Sequence, residues 1–167
     1  GTAVKEAYDA SGIVTNDRGI TVWLKGNRVS RNQIMAIKEE STTEQKNSLT
    51  VCLDNILRHA GITRNTEYDL AQGRTAIEIL SENMTGVQVL DLSGCSLDAV
   101  LYYVNQDIPV LAILEDGEAV LVTGFNEFNV VIMEPSTGKL YKKGMNDATT
   151  WFAENGNHFI TYMKTEN

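Results

Sequence analysis

Apolar side chains recur at Leu49, Cys52, Leu53, Ile56, Leu57 and Ala60, the i, i+3, i+4, i+7, i+8, i+11 spacing of a helix with one buried face. Asn47 or Ser48 supplies a cap at its start, and Gly61 suits the left-handed residue that ends it. A second helix is expected to begin after Thr75 in "RTAIEILSENM", with Gly86 closing it. "VQVLDL" reads as a strand, and "SLDAVLYYVNQ" as a third helix capped by Ser96.

After Pro109 the pattern changes. "VLAILE", "AVLVTGF", "VVIME" and "KLYKKG" are four strand-like runs separated by Asp116-Gly117, Asn126 to Asn129 and Pro135 to Gly138. Turn residues between β-rich runs predict an antiparallel meander. Asn146 or Asp147 is placed to cap a short helix, "ATTWFAEN", and "HFITYMK" supplies a last strand. Helices first and strands later is the α+β pattern. Residues 1–41 read as a lead-in segment, with a short helix in "AVKEAYDASG", strands in "ITVWLKG" and "NQIMAIKEE", and a polar linker "ESTTEQKNS". Residues 42–167 then form the domain.

Composition narrows the function. The chain has 167 residues, enough for one domain with a real core. It carries a net charge of -8 and no lysine- or arginine-rich block, which excludes ordinary nucleic-acid binding, since phosphate neutralisation needs a concentrated basic surface. No apolar run reaches the ~20 residues of a membrane span, so direct membrane insertion by this chain is not expected. Gly1-Thr2 reads as a cloning remnant. The only two cysteines are Cys52 and Cys95, and the only two histidines are His59 and His158. Cys52, on the apolar stripe, is expected to be a buried free thiol, with a bridge to Cys95 as the alternative. None of the four shows metal-ligand spacing, and no cofactor or metal is expected.

The segment "SLTVCLDNILRHAG" carries a resemblance. It is similar to the opening motif of the papain-like peptidases that process bacteriocin leader peptides at double-glycine sites, Cys-Gly-x-x-x-Leu-x-x-Ile-Leu-x-x-x-Gly. The match lies at Leu53, Ile56, Leu57 and Gly61, with Ser48 at the nucleophile position. "GEAVLVTGF" resembles the family's Gly-His-x-Val-x-Val-x-Gly strand, with Glu118 in place of histidine, and "EPSTG" resembles its Asp-Pro-x-x-Gly, with Glu134 in place of aspartate. The likeness extends over roughly residues 42 to 165. It implies an α+β, papain-like fold, with N-terminal helices followed by an antiparallel sheet.

The frame matches, but the chemistry does not. Papain-like catalysis needs a thiolate, a histidine that lowers its pKa and carries the proton, and an upstream glutamine at the oxyanion. Here the three catalytic positions hold Ser48, Glu118 and Glu134, and the position six before Ser48 is Thr42, with Gln45 too close to substitute. A carboxylate of ordinary pKa, about 4, is too weak a base to activate a serine hydroxyl. The resemblance therefore implies a peptidase-like domain without peptidase machinery, which binds a peptide or protein segment in the former cleft. Two carboxylates there favour a basic segment; calcium is a weaker alternative because only two are in view. Two other readings remain open: an active cysteine peptidase whose nucleophile is replaced by Ser48, and a structural spacer of a larger bacterial surface or membrane protein.

Other candidates have plainer readings. Cys52 could serve as a nucleophile only with His158 as its base, and it lies one turn inside the helix. His59 sits where a helix C-terminal dipole favours an imidazolium. Tyr102 and Tyr103 suggest an aromatic platform, but the stripe formed by Leu97, Val100, Leu101 and Val104 predicts that at least one of them is packed. Trp23 and Trp151 are read as core anchors, and "YKKG" as a solvated basic turn.

Overall fold

The computed structural model describes residues 47–165. The lead-in assigned to residues 1–41, its boundary with the domain, Thr42, Gln45 and Trp23 lie outside the described residues.

Helix α1 spans Ser48–His59. Asn47 is its cap: the side-chain Oδ1 accepts from the amide of Leu49 at 2.8 Å. Gly61, at φ +86°, takes the left-handed conformation just past the end. Of the predicted stripe, Cys52, Leu53, Ile56 and Leu57 are buried, whereas Leu49 is half-buried and Ala60 is exposed. Each large aliphatic side chain so buried contributes about 1.5–3 kcal/mol of transfer free energy.

A short helix α2, Glu67–Ala71, follows; no residue of it is buried, so it leaves no apolar period in the sequence. It is tied to α1 by Asp54, whose Oδ1 accepts from the buried amide of Thr66 at 2.9 Å. Helix α3, Ala76–Asn83, starts at Thr75 with a complete capping box. The amide of Glu78 donates to the Thr75 hydroxyl and the amide of Thr75 to the Glu78 carboxylate, both at 3.1 Å. Strand β1 is Val87–Asp91. Helix α4, Leu97–Asn105, is capped by Ser96, whose hydroxyl accepts from Ala99 at 3.2 Å.

Strands β2 (Val110–Ile113), β3 (Ala119–Phe125), β4 (Asn129–Glu134) and β5 (Lys139–Gly144) form the expected meander. Helix α5 covers Met145–Glu154 and β6 covers Phe159–Lys164. β6 inserts between β1 and β2, giving a six-stranded, wholly antiparallel sheet in the order β1-β6-β2-β3-β4-β5. Every residue of β3 is buried; because side chains alternate along a strand, both of its faces are covered. Helix α1 packs on β3 and β2 and against α3, while α4 packs on β3, β2 and β6 and against α5. The architecture is α+β, with the helical layer built mainly from the first half of the chain.

Two local expectations need correction. Helix α5 begins at Met145 rather than after Asn146 or Asp147, with Gly144 at the cap position and no side-chain cap. The amide of Met145 instead donates to the carbonyl of Phe128 at 2.7 Å, so a tertiary contact fixes this start. Tyr102 and Tyr103, of which the helical stripe required at least one to be packed, are both buried, edge to face with ring centroids 5.1 Å apart. "YKKG" is the end of edge strand β5 rather than a turn. Its Lys143 ammonium lies 4.8 Å from the centre of the Trp151 ring, and Trp151 is half-buried against the core.

Candidate functional site

Ser48 is the first residue of α1, where the unpaired amides of a helix start concentrate. Its hydroxyl oxygen accepts a hydrogen bond from the amide of Ala119, the first residue of β3, at 2.8 Å. Ala119 is delivered there by a tight turn. The amide of Leu114 donates to the carbonyl of Glu118 at 2.8 Å, and Gly117, at φ +85°, donates back to Leu114 at 2.9 Å. The amide of Glu118 donates to Asp116 Oδ1 at 2.9 Å, which leaves the Glu118 side chain exposed at the mouth of the turn.

Glu134 ends β4, one residue beyond the Leu121–Met133 pair, at the edge of the sheet where β3 begins. Its carboxylate accepts from the amide of Ser136 at 3.2 Å and from the Ser136 hydroxyl, a local turn around Pro135. The same carboxylate acts on Cys52. Burial pushes the Cys52 thiol well above its usual range, and the Glu134 charge pushes it further. Ser48 and Cys52 are four residues apart on one face of α1. The N-terminal turns of α1 therefore lie over the ends of β3 and β4. Position 48 is joined to the backbone beside Glu118, and Glu134 is electrostatically coupled to the same helix face.

His158 lies at the same end of the sheet as Ala119: its carbonyl accepts from the amide of Ile113 at 3.0 Å, and Ile113 pairs with Ala119. His59 lies at the far end of α1, with its ring nitrogen 2.7 Å from the carbonyl of Asp107. His158 is exposed just before β6. It adds to a field at Asp91, whose carboxyl is held below the usual range first by the Ser93 hydroxyl. The pairing of Cys52 with His158 as nucleophile and base is therefore not supported: the thiol is fully buried, and no histidine contributes to its surroundings. Cys52 and Cys95 are both buried, and no disulfide joins them. Among the described residues no group of three or more His, Cys, Asp or Glu side chains could hold a metal ion.

Chemically the arrangement offers a hydroxyl held as an acceptor, one exposed carboxylate, one carboxylate already bonded to Ser136, and a protonated thiol out of reach.

No protein-family model matches this chain, and no curated protein matches it in sequence. Among solved structures, it superposes on a crystal structure from Bacillus anthracis named as a C39-like peptidase. The TM-score is 0.68 at 14% identity, covering 83% of this chain and 100% of that one.

The fold is that of a C39-like peptidase.

That likeness supports the peptidase resemblance of "SLTVCLDNILRHAG" and "GEAVLVTGF" at the level of architecture: papain-like, α+β. At 14% identity it carries no catalytic residue across. Sequence reasoning missed the Ala119 amide, because a backbone donor leaves no residue-type signal. It also missed the Ser136 bond to Glu134, although a Glu-Pro-Ser turn is a pattern that could have suggested it.

Proposed function

We propose that this domain is a catalytically inactive, peptidase-like module that binds a peptide or an extended protein segment in the cleft beside the N-terminus of α1. The observation that carries the reading is the Ser48–Ala119 hydrogen bond at 2.8 Å, in a place where a papain-like centre would set a thiolate against an imidazole. The hydroxyl at this position is engaged by a backbone amide. Ser48, Glu118 and Glu134 act as binding groups, and the two carboxylates favour a segment carrying lysine or arginine. The net charge of -8 assists encounter with such a partner.

The test is binding without turnover. Fluorescein-labelled short peptides, basic, neutral and acidic, are titrated against the domain by fluorescence anisotropy, and the mixtures are checked for cleavage by mass spectrometry. Saturable binding of the basic set with every peptide intact supports the proposal. Cleavage, or no binding by any set, overturns it.

A second reading has one observation in its favour: position 48 opens a helix, where the N-terminus would stabilise a thiolate. On that reading an active cysteine peptidase is represented with serine at its nucleophile. Ser48→Cys would then cleave peptides with no further change, whereas the inactive-module reading requires that it does not.

A further inference from the structure

Strand β1 closes one end of the sheet, and among the described residues β6 is the one strand beside it. The amides of Leu92, Gly94 and Thr165 donate to the carbonyls of Phe159, Asn157 and Gly86, so the even-numbered positions of this edge turn their backbone groups toward β6. The odd-numbered residues Val87, Val89 and Asp91 therefore turn their N–H and C=O groups outward. Among the described residues these groups have no backbone partner.

The two edges of the sheet differ. Strand β5, at the other end, carries Lys139, Lys142 and Lys143, charged side chains of the kind that keep an edge from pairing. Strand β1 has no lysine, no proline and no shift in its register. Gln88 and Asp91 are exposed on it, and its main neighbours are β6 and α3.

This edge also fits itself. With a two-fold axis at Val89, antiparallel pairing sets Val89 against the partner's Val89, Gln88 against the partner's Leu90 and Val87 against the partner's Asp91. Every outward residue then meets an outward residue, and each such pair exchanges both of its main-chain hydrogen bonds. No charge faces a like charge. Within the chain Lys164 stands opposite Val87, so one row across the joined sheet reads Lys164, Val87, the partner's Asp91, all on one face. Strands about 4.8 Å apart put the two ends of that row about 10 Å apart at their Cα atoms, within the joint reach of a lysine and an aspartate. Lys164 is exposed and lines one cavity with His59, Asp107 and Tyr162. Among the described residues neither Lys164 nor Asp91 is joined in an ion pair. The Asp91 carboxylate accepts from the Ser93 amide and hydroxyl, and with about four acceptor positions it can take an ammonium as well.

We propose that β1 is the interface through which two copies of this chain join their sheets, edge to edge and antiparallel about Val89, with each Lys164 paired to the partner's Asp91. The two-fold repeats the contact, so every Lys164 and every Asp91 gains an opposite charge. Strands β6 and β2 lie between this edge and β3, so the interface is separate from the cleft at Ser48 and does not depend on how that cleft is used.

The test is sedimentation velocity on the whole chain from micromolar to millimolar concentration, in about 0.15 M salt to screen the repulsion between the copies. A concentration-dependent dimer is expected, with hydrogen exchange at the amides of residues 87, 89 and 91 slowing as it fills. Val89→Pro deletes an outward N–H and no bond to β6, and should raise the dimer dissociation constant at least ten-fold, roughly the scale of one lost hydrogen-bonded pair. Lys164→Glu and Asp91→Lys should each weaken the dimer about as much, because each alone sets like charges against each other. An equimolar mixture of those two variants should recover it, since the mixed pair restores opposite charges at both contacts. If Val89→Pro or Asp91→Lys does not fold, Lys164→Glu, a change on the surface, and the exchange of the three amides carry the result. A monomer throughout the range, a dimer indifferent to Lys164→Glu, or no recovery in the mixture of folded variants overturns the proposal.

Discussion

The hydroxyl of Ser48 accepts the backbone N–H of Ala119 at 2.8 Å, so the first turn of α1 is fastened to the first residue of β3 across 71 positions of sequence. In a peptidase the side chain at a helix start beside this strand would be a reactive group. Here it is a strut.

Ser48→Ala removes the acceptor and leaves a partly buried amide unpaired. The expected loss is about 1 kcal/mol of unfolding free energy, read from urea denaturation as a lower midpoint at unchanged slope. An unchanged midpoint would mean that the hydroxyl contributes nothing to docking.

Ser48→Cys places a thiol at a helix start beside the Ala119 amide. Its alkylation rate should rise with pH along a single thiol ionisation. Adding Glu118→His should introduce a second step in the range where histidine titrates, between about pH 5 and 8. If Ser48→Cys alone already shows two steps, another base faces position 48.

The double variant Glu118→Gln with Glu134→Gln keeps the shape of the cleft and removes both charges. For a basic peptide that binds, affinity should fall about ten-fold at low salt and by less as ionic strength rises, because exposed charges are screened. Equal affinity in the variant would remove the carboxylates from the proposed site.

The buried acids make alkaline pH the weak side of this fold. Cys52 is raised by burial and then by Glu134, and Tyr103 and Tyr162 are each pushed up to about 12, in both cases first by burial. A group whose pKa is higher folded than unfolded binds more protons when native, so stability falls as pH rises past its unfolded value. Stability should therefore decline from about pH 8.5, where the unfolded thiol ionises, and more steeply above about pH 10, where unfolded tyrosine does. Urea midpoints across pH 7 to 11 check the sign. In the native protein Cys52 should not react with a thiol reagent until urea unfolds the chain.

Thr75→Ala breaks the capping box of α3 and should cost about 1 kcal/mol; Thr75→Ser should restore most of it. Chemical denaturation separates the two outcomes.

Much of this molecule is written in local pattern. The stripe from Leu49 to Ala60, the Thr75 and Ser96 caps and the four runs after Pro109 each predict an element that forms, because helix and strand periods and cap chemistry are set by neighbours a few residues away. Helix α2 was invisible because none of its residues is buried. The start of α5 was misplaced because the Phe128 carbonyl fixes it rather than a cap.

The sequence by itself determined that helices precede a β meander, that Ser48 opens the first helix, and that positions 48, 118 and 134 hold no thiol and no imidazole. Only the tertiary structure decided that β6 enters between β1 and β2, that the Ala119 amide meets Ser48, and that His59, Asp107, Tyr162 and Lys164 share one cavity. The reason is range: periodicity and capping act within a few residues, while these meetings join residues dozens of positions apart, and packing of the whole sheet settles them.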